Sequence, residues 1–153
     1  MRTNNYLVDN DILFTHPRVF ALCSLLFAPC SMRHALCSIP HTQGLKKAGD
    51  FINSLAARNA LNISILTKVE FLGWDKHTQE NFESCAKLIE VANVYPLDDD
   101  IADKAIEIRR KFRIKLADSV IAATAIVHDL KLATRNVDDF KEIYGLEVEN
   151  VIG

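Results

Sequence analysis

Four acidic residues stand at or just past the ends of apolar runs: Asp9 after "YLV", Glu70 just past "NISILT", Asp118 at the head of "SVIAATAIV" and Asp139 in "TRNVDDF". Asp118 is the most conspicuous. From Leu116 to Val127 nearly every residue is small or apolar, as in a helix buried on all sides, and a lone carboxylate there is costly to bury. Carboxylates that converge without matching cations repel one another unless they are protonated or bridged by a metal. Oxygen-only ligands of this kind suit Mg²⁺ or Mn²⁺, which keep several waters and also touch substrate phosphates. Such a cluster activates a water and stabilises both oxygens of an in-line phosphoryl displacement. Each acid taken alone also fits a helix cap or a solvated turn, because Asp is favoured at both. The four argue for chemistry only if the fold gathers them.

The elements that must do so alternate along the chain. "NNYLVD" reads as a buried strand, "NISILT" as a second and "VYPL" as a brief third; "KLATRN" and "LEVENV" supply a fourth and fifth. Between them, "GLKKAGDFINSLAAR" puts Leu45, Ala48, Phe51, Ile52 and Leu55 on one helical face. "KVEFLGW" starts a helix that carries Glu70, and "HTQENFESCAKLIEVAN" is amphipathic. "DDDIADKAIEIRRKFR" opens with acids, which favour a helix N-terminus, and presents Ile101, Ala105 and Ile108 as a stripe. The helix of Asp118 follows, then "VDDFKEI" as a turn or short helix. This alternation predicts an α/β fold, a three-layer α/β/α domain with a mostly parallel central sheet. Ligands of open α/β sheets bind outside the carboxyl ends of the strands. Asp9, Glu70, Asp118 and Asp139, the last expected in the loop after "LATRN", all map to that edge.

With 153 residues the chain suits one domain with a real core. A net charge of −2 excludes a polycation, so nucleic-acid binding needs a local basic patch. "RRKFRIK" offers one: Arg109, Arg110, Lys111, Arg113 and Lys115 crowd just before Asp118. They fit a solvated helix end, where cations meet the C-terminal dipole, and equally a rim that draws RNA phosphates toward the acids. Contacts of that kind position a substrate and read little sequence. The four cysteines, in a core-rich chain without a convincing export signal, read as reduced thiols in a cytoplasm. "VFALCSLLFAP" lies late, behind Asp9 and Asp11, and is too short to span a bilayer before Arg33 and His34; no membrane association is expected.

From His16 to Gln43 the chain repeats in blocks of seven, with Cys-Ser opening three of them and Phe or His in the fifth place. Cys23, Cys30 and Cys37 with His34 and His41 are too widely spaced for a zinc knuckle. Pro17, Pro29 and Pro40 interrupt a coiled-coil helix. The expectation is a single domain over 1–153 carrying a tandem-repeat insertion at about 16–43. Removing it joins "DILFT" to "GLKKAGDFI" in an ordinary strand-to-helix passage.

Three stretches, "YLVDNDIL", "ILTKVEFLGW" and "RIKLADSVIAATAIVHDLKLATRNVDDF", resemble the signature blocks of PIN-domain ribonucleases, in particular VapC-type toxins of type II toxin–antitoxin pairs. The resemblance covers everything but the heptad region. It implies a PIN-like fold with Asp9, Glu70, Asp118 and Asp139 as the catalytic acids. Asp9, Asp118 and Asp139 would be metal ligands, Glu70 a further candidate, and Asp11 a ligand through water. Thr134 and Asn136 would support them, and Asp139 is preferred to Asp138 because the motif fixes an acid–Phe pair. Arg109, Arg110, Arg113 and Lys115 are the RNA-binding candidates. The activity implied is a cytoplasmic Mg²⁺-dependent endoribonuclease, with Mn²⁺ the alternative ion. Water would attack an RNA phosphodiester to leave 5′-phosphate and 3′-hydroxyl ends. The partners implied are RNA, a cognate antitoxin and a second copy of the chain. Asn10 stands where the family usually has Thr or Ser, and Ala117 where Pro is common; neither change removes a ligand. The alternative is a catalytically silent, protein-binding PIN-like module impaired by the insertion. A response-regulator-like phosphoacceptor domain would want a late strand-end Lys, and none presents itself.

Overall fold

In a computed structural model the chain is described over residues 5–13, 43–75 and 77–151. The expected insertion therefore lies outside the described residues, save that Gln43 begins a helix. In chain order the elements are β1 (Tyr6–Val8), α1 (Asn10–Leu13), α2 (Gln43–Ala57), β2 (Leu61–Ser64), α3 (Ile65–Leu72) and α4 (Gln79–Glu90). They continue with β3 (Asn93–Tyr95), α5 (Asp99–Lys111), α6 (Leu116–Val127), β4 (Lys131–Ala133), α7 (Val137–Phe140) and β5 (Val148–Glu149). The five strands form one sheet in the order β3-β2-β1-β4-β5, and every pairing is parallel.

Side-chain alternation along β1 explains the two cores. Leu7 faces one side of the sheet, with Leu132, the Ile101–Ala105–Ile108 stripe of α5 and the small residues Ala122, Ala123 and Ala125 of α6. Val8 faces the other, with Leu61, Ile63, Ile12, Leu13, Ala48, Ile52, Leu55 and Phe71. The three-layer α/β/α expectation holds, and the sheet is wholly parallel. Such a sheet is covered on both faces, which is why β2 reads as a short run buried at every position.

Some boundaries fall elsewhere than the sequence predicts. "NISILT" is strand only as far as Ser64, which is the N-cap of α3. Its Oγ accepts the N–H groups of Leu66 at 3.0 Å and Thr67 at 3.3 Å. The last three residues of that apolar run are thus helical. The third strand begins earlier than "VYPL" and stops at Tyr95, where Pro96 has no N–H for the ladder. The α6 helix is buried through its middle, while Leu116 and Val127 at its ends are exposed. Asp139 lies within α7 rather than in a loop. Among the described residues, no helix is long and apolar enough to cross a membrane.

The strand order places the switch point between β1 and β4. The chain leaves β1 toward the Val8 face, where Ile12 and Leu13 of α1 are buried. It leaves β4 toward the Leu7 face, where Phe140 of α7 is buried. A crevice opens where neighbouring strands send their chains to opposite faces.

Candidate active site

At that crevice β1 ends and the main chain continues its ladder for one more rung, the Asp9 N–H donating to Ala133 O at 3.0 Å. The Asp9 carboxylate is buried, at 7 % exposure. Its Oδ1 accepts the Asn10 N–H at 2.6 Å and its Oδ2 accepts the Thr134 hydroxyl at 2.9 Å. The same hydroxyl lies 3.3 Å from Asp11 Oδ2, which also accepts the Arg135 N–H at 3.0 Å. A hydroxyl has one proton, so Asp9 and Asp11 compete for it. Thr134 Oγ1 in turn accepts the Asn136 N–H at 3.1 Å. The residues after β4 thus clasp the two acids that follow β1.

Burial pushes the Asp9 carboxyl up to about 8, helped by the charge of Asp11 and more weakly by Asp118; the Thr134 and Asn10 bonds oppose this. Burial also raises Asp11, against the N–H and the guanidinium of Arg135 and the Thr134 hydroxyl. Both acids resist ionisation for the same reason: water is excluded and donors are too few.

Glu70 comes from the last turn of α3, and Asn10 Nδ2 donates to its Oε2 at 3.3 Å. Partial burial raises its pKa, as does the charge of Asp118, while the Asn10 bond and Lys115 lower it. Asp118 sits in the first turn of α6, whose N-cap residue Lys115 makes no side-chain capping bond. Half-buried, it is raised chiefly by burial; Lys115 lowers it and Asp139 raises it. Asp139 is held by the Asn136 amide, whose Nδ2 donates to Asp139 Oδ2. Its neighbour Asp138 instead pairs with Lys141 at 2.7 Å, which lowers its pKa. The fold therefore gathers Asp9, Asp11, Glu70, Asp118 and Asp139 at one edge of the sheet, each within electrostatic reach of at least one other.

The basic run divides. Arg109, Arg110 and Lys111 are exposed on the last turn of α5, and Lys111 pairs with Glu107 at 2.7 Å. Arg113 and Lys115 are exposed on the link to α6, and Lys115 bears on both Glu70 and Asp118. Two contributors escaped the sequence reading. Asn10, noted only as a departure, ties Glu70 to the end of β1. Arg135, not singled out, binds Asp11 through its main chain and brings a half-buried cation beside it. A single Arg between Thr134 and Asn136 carries no periodicity that could have marked it.

The donor set is all oxygen and suits a hard divalent cation. Asp11 Oδ1 and Asn10 Oδ1 are buried and make no hydrogen bond, so acceptors remain open beside the raised carboxylates. Among the described residues no three His, Cys, Asp or Glu side chains close into a ready cage; Asp9 and Asp11 share the Thr134 hydroxyl, Glu70 is bonded by Asn10 and Asp139 by Asn136. The residues present fit a Mg²⁺-like ion that keeps most of its waters.

The profile of the family described as PIN domain matches residues 45–146. Ribonuclease VapC10 of Mycobacterium tuberculosis is 36% identical over 105 residues, which span 65% of this chain and 77% of that protein. A toxin–antitoxin complex from Klebsiella pneumoniae contains a chain 26% identical that superposes with a TM-score of 0.58, covering 95% of this chain and 97% of that one. VapBC2 from Rickettsia felis, bound to a DNA fragment from their promoter, shares the fold with a TM-score of 0.63 at 21% identity, over 94% of this chain and 96% of that one. With more than half of its length matched by the family profile and its acids gathered at the sheet edge, the chain belongs to the PIN-domain family, among the VapC-type members.

Proposed function

We propose that this chain is a divalent-metal-dependent endoribonuclease and the toxin of a toxin–antitoxin pair. One observation carries the reading: the Thr134 hydroxyl is shared between the buried carboxylate of Asp9 and the partly buried one of Asp11, with Glu70, Asp118 and Asp139 at the same sheet edge. Five acids and few cations form a poor structural motif and a good oxygen ligand set. The likeness to ribonuclease VapC10 supports RNA as substrate, and the likeness to solved toxin–antitoxin complexes supports an antitoxin partner.

Asp9, Asp118 and Asp139 are the assigned ligands of Mg²⁺, or of Mn²⁺ in its place, with Glu70 a further candidate and Asp11 acting through water. When bound, the ion supplies an activated water and charge neutralisation at an in-line phosphoryl displacement. Thr134 and Asn136 orient the acids by their hydrogen bonds, and α6 is the rigid post that fixes Asp118. Arg109, Arg110, Arg113 and Lys115 draw the RNA backbone toward this edge. The products assigned are 5′-phosphate and 3′-hydroxyl ends. We assign the chain to the cytoplasm as a homodimer, and its organisation as one PIN domain with an insertion at about 16–43.

The test incubates the purified chain with structured RNAs and Mg²⁺ beside Asp118→Asn. Cleavage should need the metal and fall by about 100-fold or more in the variant. Cleavage that survives the substitution refutes the site. Absence of cleavage in both proteins favours a silent protein-binding module.

A further inference from the structure

We propose that the Arg135 guanidinium grips a phosphate of the RNA backbone beside the carboxylate cluster. This deepens the ribonuclease reading and rests on it. Arg135 stands between Thr134, which bonds Asp9 and Asp11, and Asn136, which bonds Asp139. Its own N–H is spent on Asp11 Oδ2 at 3.0 Å. The residue is therefore fixed at the crevice by its main chain, and the hydrogen bond to Asp11 does not use the side chain.

That side chain is half-buried, yet its guanidinium makes no hydrogen bond or ion pair with any described residue. A guanidinium partly withdrawn from water and without a protein acceptor keeps its N–H donors available to a ligand. Burial lowers the Arg135 pKa and the charge of Asp11 opposes this, consistent with a cation near the acids and short of solvent. A planar fork of donors matches a phosphate in two parallel bonds, and an ammonium does not.

The placement favours RNA over an acidic protein segment. Arg135 bears on the Asp11 side of the cluster, while Lys115 bears on the Glu70 and Asp118 side. The two cations thus act on different acids of the cluster, and a polyanionic backbone at this edge can meet both. A chain of repeated phosphates suits two such cations better than one side-chain carboxylate does.

The experiment measures binding of a fluorescein-labelled single-stranded RNA of mixed sequence to the full-length Asp118→Asn chain in MgCl₂ across a KCl series. Arg135→Met in that background should weaken binding about 10- to 100-fold, the loss expected for one charge-assisted contact. It should also lower the slope of log affinity on log salt by about 0.7, one phosphate contact on a single strand. Arg135→Lys should recover the slope and only part of the affinity, and Lys87→Met should change neither. A melting curve on each variant checks folding, and Arg135→Lys carries the test if Arg135→Met does not fold.

RNA binding and salt slope unchanged in both Arg135 variants overturn the proposal while leaving the ribonuclease reading intact. Unchanged RNA binding with weakened binding of a poly-glutamate peptide assigns Arg135 to a protein partner and overturns it too. Weaker Mn²⁺ binding in Arg135→Met, with RNA binding kept, makes Arg135 a positioning residue for Asp11, a third refutation. A parent chain that neither binds nor cuts RNA removes the ribonuclease reading and this inference together.

Discussion

Asp9 stands where the fold itself opposes ionisation of its carboxyl. Its carboxyl is raised from 3.8 to about 8, burial being the largest cause. Between those values the folded chain keeps a proton that the unfolded chain has lost, so the Asp9 contribution to stability falls as pH rises through the window and levels off above it. Asp11, Glu70 and Asp118 are raised as well and act in the same direction. In chelator, the melting temperature should therefore decline from mildly acid to mildly alkaline pH. Asp9→Asn should flatten part of that decline and melt higher than the parent at the alkaline end, by several degrees. Saturating Mg²⁺ should also flatten it by favouring the ionised form. A parent chain whose melting temperature rises across the same pH range in chelator would rule out this account of Asp9. The acids were legible in the sequence by type and position. The clasp was not, because Thr134 shares its proton across a sequence separation of 125 residues and no local pattern encodes such a contact.

Among the elements, α3 shows how a small cap sets a functional position. Ser64 ends β2 and caps α3 with two N–H bonds, and that start fixes where Glu70 lies along the helix. Ser64→Ala should cost about 1 kcal/mol, or roughly 2–4 °C in melting temperature for a domain of this size. Urea denaturation reads it as a lower midpoint with an unchanged slope, and an unchanged midpoint would mean that packing alone fixes the start of α3. The sequence concealed this boundary because "NISILT" is apolar on both sides of Ser64, so strand and helix share one hydrophobic run. In α5 the same kind of reading succeeded. Its buried stripe is Ile101, Ala105 and Ile108 as spaced, and one of the three acids that open it, Asp98, is the cap. Periodicity locates a helix face well; it locates a helix end only when the cap interrupts the pattern.

For the whole molecule, alternation of strands and helices was enough to predict the layers and the parallel sheet, but not the strand order. That order depends on β4 returning to pair with β1, Leu7 with Leu132 and Val8 with Ala133, a choice made between distant segments. The proposed domain organisation makes its own prediction. A chain lacking residues 16–43 should still give a cooperative melt and the Mg²⁺-dependent cleavage of the parent. Loss of the cooperative transition would make that stretch part of the fold rather than an insertion.

The extra rung from the Asp9 amide to Ala133 O has a further consequence. The peptide that carries the acid is itself a member of the central ladder, between the strands that meet at the switch point. Regions that open locally are those with few buried contacts and exposed main-chain bonds, and this peptide has neither feature. Its amide proton should therefore exchange with solvent in the slowest class, released by global unfolding rather than by breathing at the crevice. The Asp9 end of the site should then be lost together with the sheet rather than by a separate local opening.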